Sequence, residues 1–303
     1  KGKASIEFEH PPVIISAGSV VGKKEGEGPL GSLFDEVELD DMFGMDNWEQ
    51  AESTMQKKTA DLVIEKGGIR KGDLRYLFAG DLLGQLIATS FGTVDLEIPL
   101  FGLYGACSTM GEALGLGAMA VNAGYADQVM SMRPAILPLR KTVPFSAGLW
   151  EPAAALCHMD CNGLRRRGSG RKQEGWYGPH RRHHNGTYGG HGRQGFHEYG
   201  SSHAPAAFHT IEQNLEDFQV NETWYDKIIT GDLGEVGRTI LLEFMKNKGR
   251  DLSQLHMDCG MEIYDKEQQD THSGGSGCGC SAVTLCSYIL PKVQDGTWKR
   301  VLF

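Results

Sequence analysis

The sequence has no run of about 18 apolar residues, so no segment of it reads as a transmembrane helix. Its start, Lys1-Gly2-Lys3-Ala4-Ser5, has neither an apolar signal core nor an initiator Met, which is expected of a fragment of a protein on the cytosolic side. A disulfide framework is also missing. The seven cysteines (Cys107, Cys157, Cys161, Cys259, Cys278, Cys280 and Cys286) are few and irregularly spaced for 303 residues. Positive charge is outnumbered as well, with 30 Lys and Arg against 39 Asp and Glu. The net charge is −9, which argues against a general nucleic-acid binder. What the chain does have is 40% hydrophobic residues over a length that can bury one large core or two moderate ones.

The acidic balance is uneven. Between Pro134 and His203 there are ten Arg or Lys against four Asp or Glu, and seven of the eleven His. Outside that stretch, short β-type runs alternate with helical patterns, which argues for a layered α/β fold. Val13-Ile14-Ile15-Ser16, Tyr76-Leu77-Phe78-Ala79 and Asp226-Lys227-Ile228-Ile229-Thr230 read as buried strands. Asn47 to Lys66 has helical spacing and stops at Gly67-Gly68, a good C-cap. Thr109 to Asn122 is almost wholly apolar, which predicts a helix buried on all sides, and Val236 to Asn247 is amphipathic and closed by Gly249.

The chain repeats itself. Phe78-Ala79-Gly80-Asp81-Leu82-Leu83-Gly84 matches Ile229-Thr230-Gly231-Asp232-Leu233-Gly234, with the two Asp 151 residues apart. Ala106-Cys107-Ser108 matches Gly279-Cys280-Ser281, 173 residues apart. After each Cys-Ser comes an apolar run, then a Gly and a new strand. Shared order and spacing predict an internal duplication.

Several phrases carry a narrower likeness. Gly28-Pro29-Leu30, Phe78-Ala79-Gly80-Asp81-Leu82, Gly102-Leu103-Tyr104-Gly105-Ala106-Cys107-Ser108-Thr109, Asn122-Ala123-Gly124-Tyr125-Ala126-Asp127, Thr230-Gly231-Asp232-Leu233-Gly234-Glu235-Val236-Gly237 and Ser276-Gly277-Cys278-Gly279-Cys280-Ser281-Ala282 resemble the stage V sporulation protein AD family of the thiolase superfamily. The resemblance covers residues 1–132 and 204–303. It implies a five-layer αβαβα sandwich of two duplicated halves, residues 1–170 and 171–303. Residues 133–170 and 171–203 would be the aberrant part of each half, and the family's last strands would be missing beyond Val301-Leu302-Phe303.

Across the basic, His-rich stretch the likeness vanishes. Back-translation suggests why. A one-base shift turns Ala135 to Arg140 into S-H-F-A-T-A, Lys141 to Trp150 into K-Q-F-R-F-P-L-G-Y-G, and Thr187 to Gly200 into R-M-V-D-M-G-V-K-D-S-M-N-M-G, all of which look like the family at this point. Three single-base deletions account for this, the last restoring the frame before Ala204. The segment should then have few apolar anchors and little order. No function is expected of His180, His183, His184, His191 or the Arg165-Arg166-Arg167 run. A peptide spanning Arg165 to Tyr177, found by mass spectrometry of the purified protein, would show that the stretch is translated as written.

Cys107 follows a tight Tyr104-Gly105-Ala106 segment and precedes a helix, whose start stabilises a thiolate. In thiolases and ketoacyl synthases the matching Cys is the acylated nucleophile. Condensation also needs a base and polarising donors from second-half loops. Those loops read here Thr230-Gly231-Asp232-Leu233 and Gly274-Gly275-Ser276-Gly277, without the expected His or Asn, and leave only nearby His272. Cys107 is therefore the nucleophile equivalent of a site with no catalytic residue. Cys278-Gly279-Cys280 looks like half a metal site, but no second pair has the right spacing, so no metal cofactor is expected.

The resemblance implies binding of dipicolinate (pyridine-2,6-dicarboxylate), free or with Ca²⁺, during uptake into the forespore. Partners would be the membrane proteins of the same transport complex and, by analogy with other thiolase folds, a second copy of the chain. The location would be the cytoplasmic side of, or peripheral at, the forespore or spore inner membrane. Backbone N–H groups at helix starts and Gly-rich turns suit a small dianion. Gly105 to Thr109 and Gly274 to Gly279 are expected to supply them from opposite halves, with hydroxyls from Ser108, Thr109 and Ser276. The candidate ligand residues are Cys107, Ser108, Thr109, Gly231, Asp232, Gly275, Ser276 and Gly277. Asp81 and Asp232 also read as helix N-caps. The competing expectation is an acyl-transferring condensing enzyme that uses Cys107, and a third is a structural partner-binding fold.

Overall fold

A computed structural model describes residues 1–81, 86–133, 153–160, 198–269, 271, 273–275 and 278–303. Two sheets carry the architecture. The first contains β1 (Val13–Gly22), β2 (Glu36–Glu38), β3 (Tyr76–Ala79), β4 (Leu100–Gly102), β5 (Gln128–Arg133) and β6 (Ala153–Asp160), in the order β2-β1-β6-β5-β3-β4. Only β6 runs against the others. The second contains β7 (Lys227–Thr230), β8 (His256–Asp258) and β9 (Val301–Leu302), all parallel, in the order β8-β7-β9.

Helices fill the layers on either side: α1 (Trp48–Gly67), α2 (Ile87–Thr93), α3 (Thr109–Asn122), α4 (Glu198–Phe218) and α5 (Gly234–Asn247). The last helix, α6, begins as Cys278–Thr284, loosens into a π-helical turn at Leu285–Ile289 and ends as Leu290–Gln294.

The alternation of side chains along the strands sorts the core into layers. Leu77 and Ala79 of β3, with Met130 and Met132 of β5, face Ala60, Val63 and Ile64 of α1. The intervening Phe78 and Val129 face the opposite way, onto Met110, Ala113 and Ala118 of α3. In the second sheet Ile229 and Val301 share that central core with Ala282, Val283 and Ile289 of α6. Their neighbours Ile228 and Leu302 face Ile211 and Leu215 of α4 and Leu241 and Met245 of α5. The order is therefore helix, sheet, helix pair, sheet, helix, the five-layer sandwich expected of two duplicated halves.

The duplication is visible in the pairing as well as in the sequence. β3 lies between β4 and β5 as β7 lies between β8 and β9, all parallel. Tyr76 pairs with Val129 where Lys227 pairs with Val301. The glycine after each central strand lets a helix start come close. A Cβ on Gly80 would lie 2.1 Å from the Leu103 carbonyl and 3.2 Å from Thr109 Cγ2, and one on Gly231 would lie 3.1 Å from Ser281 Cβ.

Local signals explain most element ends. Asn47 caps α1 by accepting from the Gln50 N–H at 2.9 Å, and Gly68 closes it with φ 60°. Two expectations need correction. α3 is not buried on all sides, because Leu116 and Met119 are 36% and 44% exposed on its outer face. The basic stretch is not without a core element either. Residues 153–160 form β6, in the middle of the first sheet between β1 and β5. Ala153-Ala154-Ala155-Leu156-Cys157 is a short apolar run of the kind that suits such a position.

Candidate anion site

The two Cys-Ser segments meet in the central layer. Ala106–Ser108 forms a 3₁₀ turn that leads into α3, and this turn packs on the first segment of α6, which contains Cys280 and Ser281. The start of α3 follows the carboxyl end of the parallel strand β4, where α/β sheets place their ligands.

The first-half residues differ in what they can offer. Cys107 is half-buried, whereas Cys259, Cys280 and Cys286 are buried. Burial pushes the Cys259 thiol well up, the Asp258 charge adds to the push, and that side chain stays a protonated core thiol. Ser108 is already occupied: its amide and its hydroxyl both donate to the Gly105 carbonyl, at 3.0 and 2.9 Å. Thr109 is the opposite case. It is completely buried, it opens the 14-residue α3, and its Oγ1 has no hydrogen-bond partner. A buried hydroxyl without a partner costs about 1–3 kcal/mol, and this one sits where the helix dipole favours a negative ligand. Glu112, in the same first turn, brings its carboxylate against Gly105.

The second-half loops are pinned to one another. The Gly231 carbonyl accepts from the Gly260 N–H at 3.0 Å, and the Gly260 carbonyl accepts from the Gly275 N–H at 2.7 Å. The Gly274 N–H donates to the Thr271 carbonyl at 2.9 Å, and the Glu235 N–H to the Ser273 carbonyl at 2.7 Å. This corrects the expectation for Gly274 and Gly275. Their amides close the turn and fasten it to Gly260, so they are not available to an anion. Ser276, Gly277 and His272 lie outside the described residues.

Asp81 acts as expected, its carboxylate accepting from Leu86 N–H and Thr89 N–H at 2.9 and 3.0 Å at the start of α2. Asp232 does not. The amides of Leu233 and Gly234, which open α5, bond instead to the Asp258 carboxylate at 2.9 and 3.1 Å. Asp258 stands at the end of β8, beside β7, and reaches across the strand pair to do the capping.

Sequence reasoning also missed a buried polar network around Asp258. Thr230 Oγ1 donates to Asp258 Oδ1 at 2.6 Å and lies 3.0 Å from His256 Nε2. The single hydroxyl proton goes to the carboxylate, so Nε2–H is the donor to Thr230 and Nδ1 carries the lone pair. Nδ1 is buried with no partner. Burial, reinforced by the charges of Arg238 and Lys227, lowers His256 to about 4. Nothing local in His256-Met257-Asp258 announces this network, because its partners lie 24 to 28 residues away in sequence.

His256 therefore makes stability depend on pH. The unfolded chain takes up a proton near the ordinary imidazole value of about 6.5, whereas the folded chain refuses it until about 4. The contribution is complete above the upper value and is lost as pH falls through the window, on the order of 3 kcal/mol over its full width. Burial pushes Asp258 and Glu262 up, and they act with the opposite sign. Denaturant unfolding at pH 7 and pH 4.5 should therefore show a steeper loss in wild type than in His256→Gln. Equal losses would remove this account.

Among the described residues, no three His, Cys, Asp or Glu gather as a metal site, and no helix is long and apolar enough to cross a membrane.

Comparison with known proteins identifies the family and the fold. The family model for stage V sporulation protein AD (SpoVAD) matches residues 2–135 and 185–303. The break is thus narrower than the expected 133–203, and the match resumes well before Ala204. Stage V sporulation protein AD of Bacillus subtilis (strain 168) is 33% identical over 306 residues, covering 99% of this chain and 88% of that protein. Among solved structures, 3-oxoacyl-[acyl-carrier-protein] synthase III from Aquifex aeolicus superimposes with a TM-score of 0.55 at 12% identity, covering 94% of this chain and 91% of that one. OleA from Xanthomonas campestris gives 0.55 at 13%, covering 96% and 92%. These two likenesses establish the thiolase-like fold.

Proposed function

The chain belongs to the stage V sporulation protein AD family, and on that premise we propose that it binds dipicolinate without catalysis, as a peripheral component of the sporulation machinery that moves this dianion into the forespore. The observation that carries the reading is the Thr109 hydroxyl, buried without a partner at the first residue of α3 and two positions from Cys107. A ligand carboxylate is the acceptor such a hydroxyl lacks, and the helix start supplies the favourable field. Glu112 beside Gly105 disfavours a bare dianion, which supports delivery with Ca²⁺. The membrane proteins of the same machinery are the partners this reading implies.

The non-catalytic part of the proposal rests on the loss of the His or Asn expected in the second-half loops, which leaves His272 as the one candidate base. Thr230-Gly231-Asp232 carries no imidazole, and the nearby His256 is tied to Thr230 with a proton affinity too low for general-base work near neutrality. The fold shared with synthases and the half-buried Cys107 favour a second reading, acyl transfer through that thiol. Calorimetric titration with dipicolinate, with and without Ca²⁺, separates the two. Heat saturating at or below millimolar ligand supports the binding role. A mass increase of one acyl group on Cys107 after incubation with acyl-CoA, with no dipicolinate heat, supports the enzyme.

A further inference from the structure

One contact outside the anion site joins residues 214 apart in sequence. Asp217 is 7% exposed and stands one residue from the end of α4, where the helix dipole disfavours a negative charge. Its carboxylate takes three successive backbone donors from the segment that precedes β1. Lys3 N–H reaches Oδ1 at 2.8 Å, and Ala4 N–H and Ser5 N–H both reach Oδ2 at 2.9 Å. Gln213, one turn earlier on α4, donates to Oδ1 at 2.8 Å and holds the carboxylate in place. Gly2 makes the close approach possible. Its φ is +61°, and a Cβ there would lie 2.1 Å from Asp217 Oδ1. The Lys1 ammonium sits over the Phe218 ring, 5.2 Å from its centroid.

Apolar packing does not make this connection. The buried core beneath α4 joins Ile211 and Leu215 to Ile228, Leu241 and Met245, and among the described residues every member of it comes from the second half. Two further polar bonds of α4 stay in that half as well. Asn214 accepts from the Tyr225 hydroxyl at 2.7 Å, and Glu212 pairs with Arg250 at 2.6 Å. Phe8, by contrast, packs on the central core just ahead of β1. Residues 2–8 thus run from the outer helix layer of the second half to the approach of the first sheet. Hydrogen bonds to a charged carboxylate are the strong kind, and losing the acceptor strands three amides at once. We propose that Lys3 to Ser5 form a clasp with Asp217 that fastens α4 to the first half and restrains the outer layer of the second. The clasp uses no residue of the anion site and does not depend on the function proposed above.

Hydrogen exchange read by mass spectrometry on the full chain tests the clasp from both sides. Asp217→Asn weakens the acceptor, Gly2→Ala blocks the approach without changing charge, and Glu243→Gln, on the exposed face of α5, is the control for a lost carboxylate. In the wild type, residues 2–8 should exchange about tenfold or more slowly than an unstructured peptide of the same sequence. Asp217→Asn and Gly2→Ala should each speed exchange by about tenfold or more, both in residues 2–8 and in residues 206–217 of α4, and lower Tm by about 5 °C. Residues 128–133 of β5 should keep their protection, and Glu243→Gln should change none of these readings. Wild-type exchange of residues 2–8 at the unstructured rate overturns the proposal. So does faster exchange confined to residues 2–8 while α4 stays protected, which would make the segment a passenger. Faster exchange of α4 in Asp217→Asn but not in Gly2→Ala would be a local effect on the helix and overturns it as well.

Discussion

Thr109→Val is expected to weaken dipicolinate binding by about ten- to a hundredfold and to leave Tm the same or slightly higher. The asymmetry is the substance of the prediction. In the free protein the Thr109 hydroxyl is buried and partnerless, so deleting it removes a desolvation cost. In the complex it donates to a carboxylate, and a hydrogen bond to a charged group is worth about 1.5–3 kcal/mol. Thr109→Ser should keep most of the affinity. Calorimetry and thermal melts on the same samples check both halves. Unchanged affinity would mean that the hydroxyl serves something other than the ligand.

The second large effect is on stability. Asp258→Ala should lower it on the order of 4 kcal/mol, enough to move Tm by roughly 10 °C in a chain of this size. The carboxylate is 1% exposed and accepts from Thr230 Oγ1, Leu233 N–H and Gly234 N–H. Alanine strands all three donors in the interior and uncaps α5. Asp258→Asn, which keeps one carbonyl acceptor, should lose less than half as much. A loss below 1 kcal/mol in the alanine variant would show that the network contributes little. Because Asp258 also fixes the loop that carries Gly231, a measurable fall in dipicolinate affinity should accompany the fall in stability.

Much of the fold was legible because its determinants are local or periodic. Asn47 and Gly68 bracket α1 through bonds made within one turn. Phe78 and Leu77, or Ile229 and Ile228, take opposite faces because a strand alternates, and a buried strand needs both faces apolar. The two Gly-Asp-Leu phrases and the two Cys-Ser phrases fixed the repeat, which the paired strand order reproduces. Asp81 could be read as a cap because its targets, Leu86 and Thr89, follow it closely.

The site was less legible, for a physical reason that recurs. Asp232 occupies the same place as Asp81 in the repeat, yet Asp258 from the next strand takes the amides that a local cap would have taken. Gly274 and Gly275 look like free anion donors in sequence, but a loop packed on Gly260 uses those amides itself. Thr109 could be named as a hydroxyl donor from its place at a helix start beside Cys107, but its burial without a partner is not encoded in composition or spacing. α3 misled in the other direction, because an apolar stretch cannot reveal that Leu116 and Met119 face outward. The basic stretch was expected to have few apolar anchors and little order. Its short Ala-Leu-Cys run nonetheless forms β6, while the family model leaves residues 136–184 unmatched.

The most direct measurement is a crystal structure of the protein grown or soaked with dipicolinate and Ca²⁺. The account requires a ligand carboxylate oxygen within about 3 Å of Thr109 Oγ1 at the start of α3. Density for the ligand elsewhere on the protein, or a saturated crystal with that hydroxyl still partnerless, would contradict it.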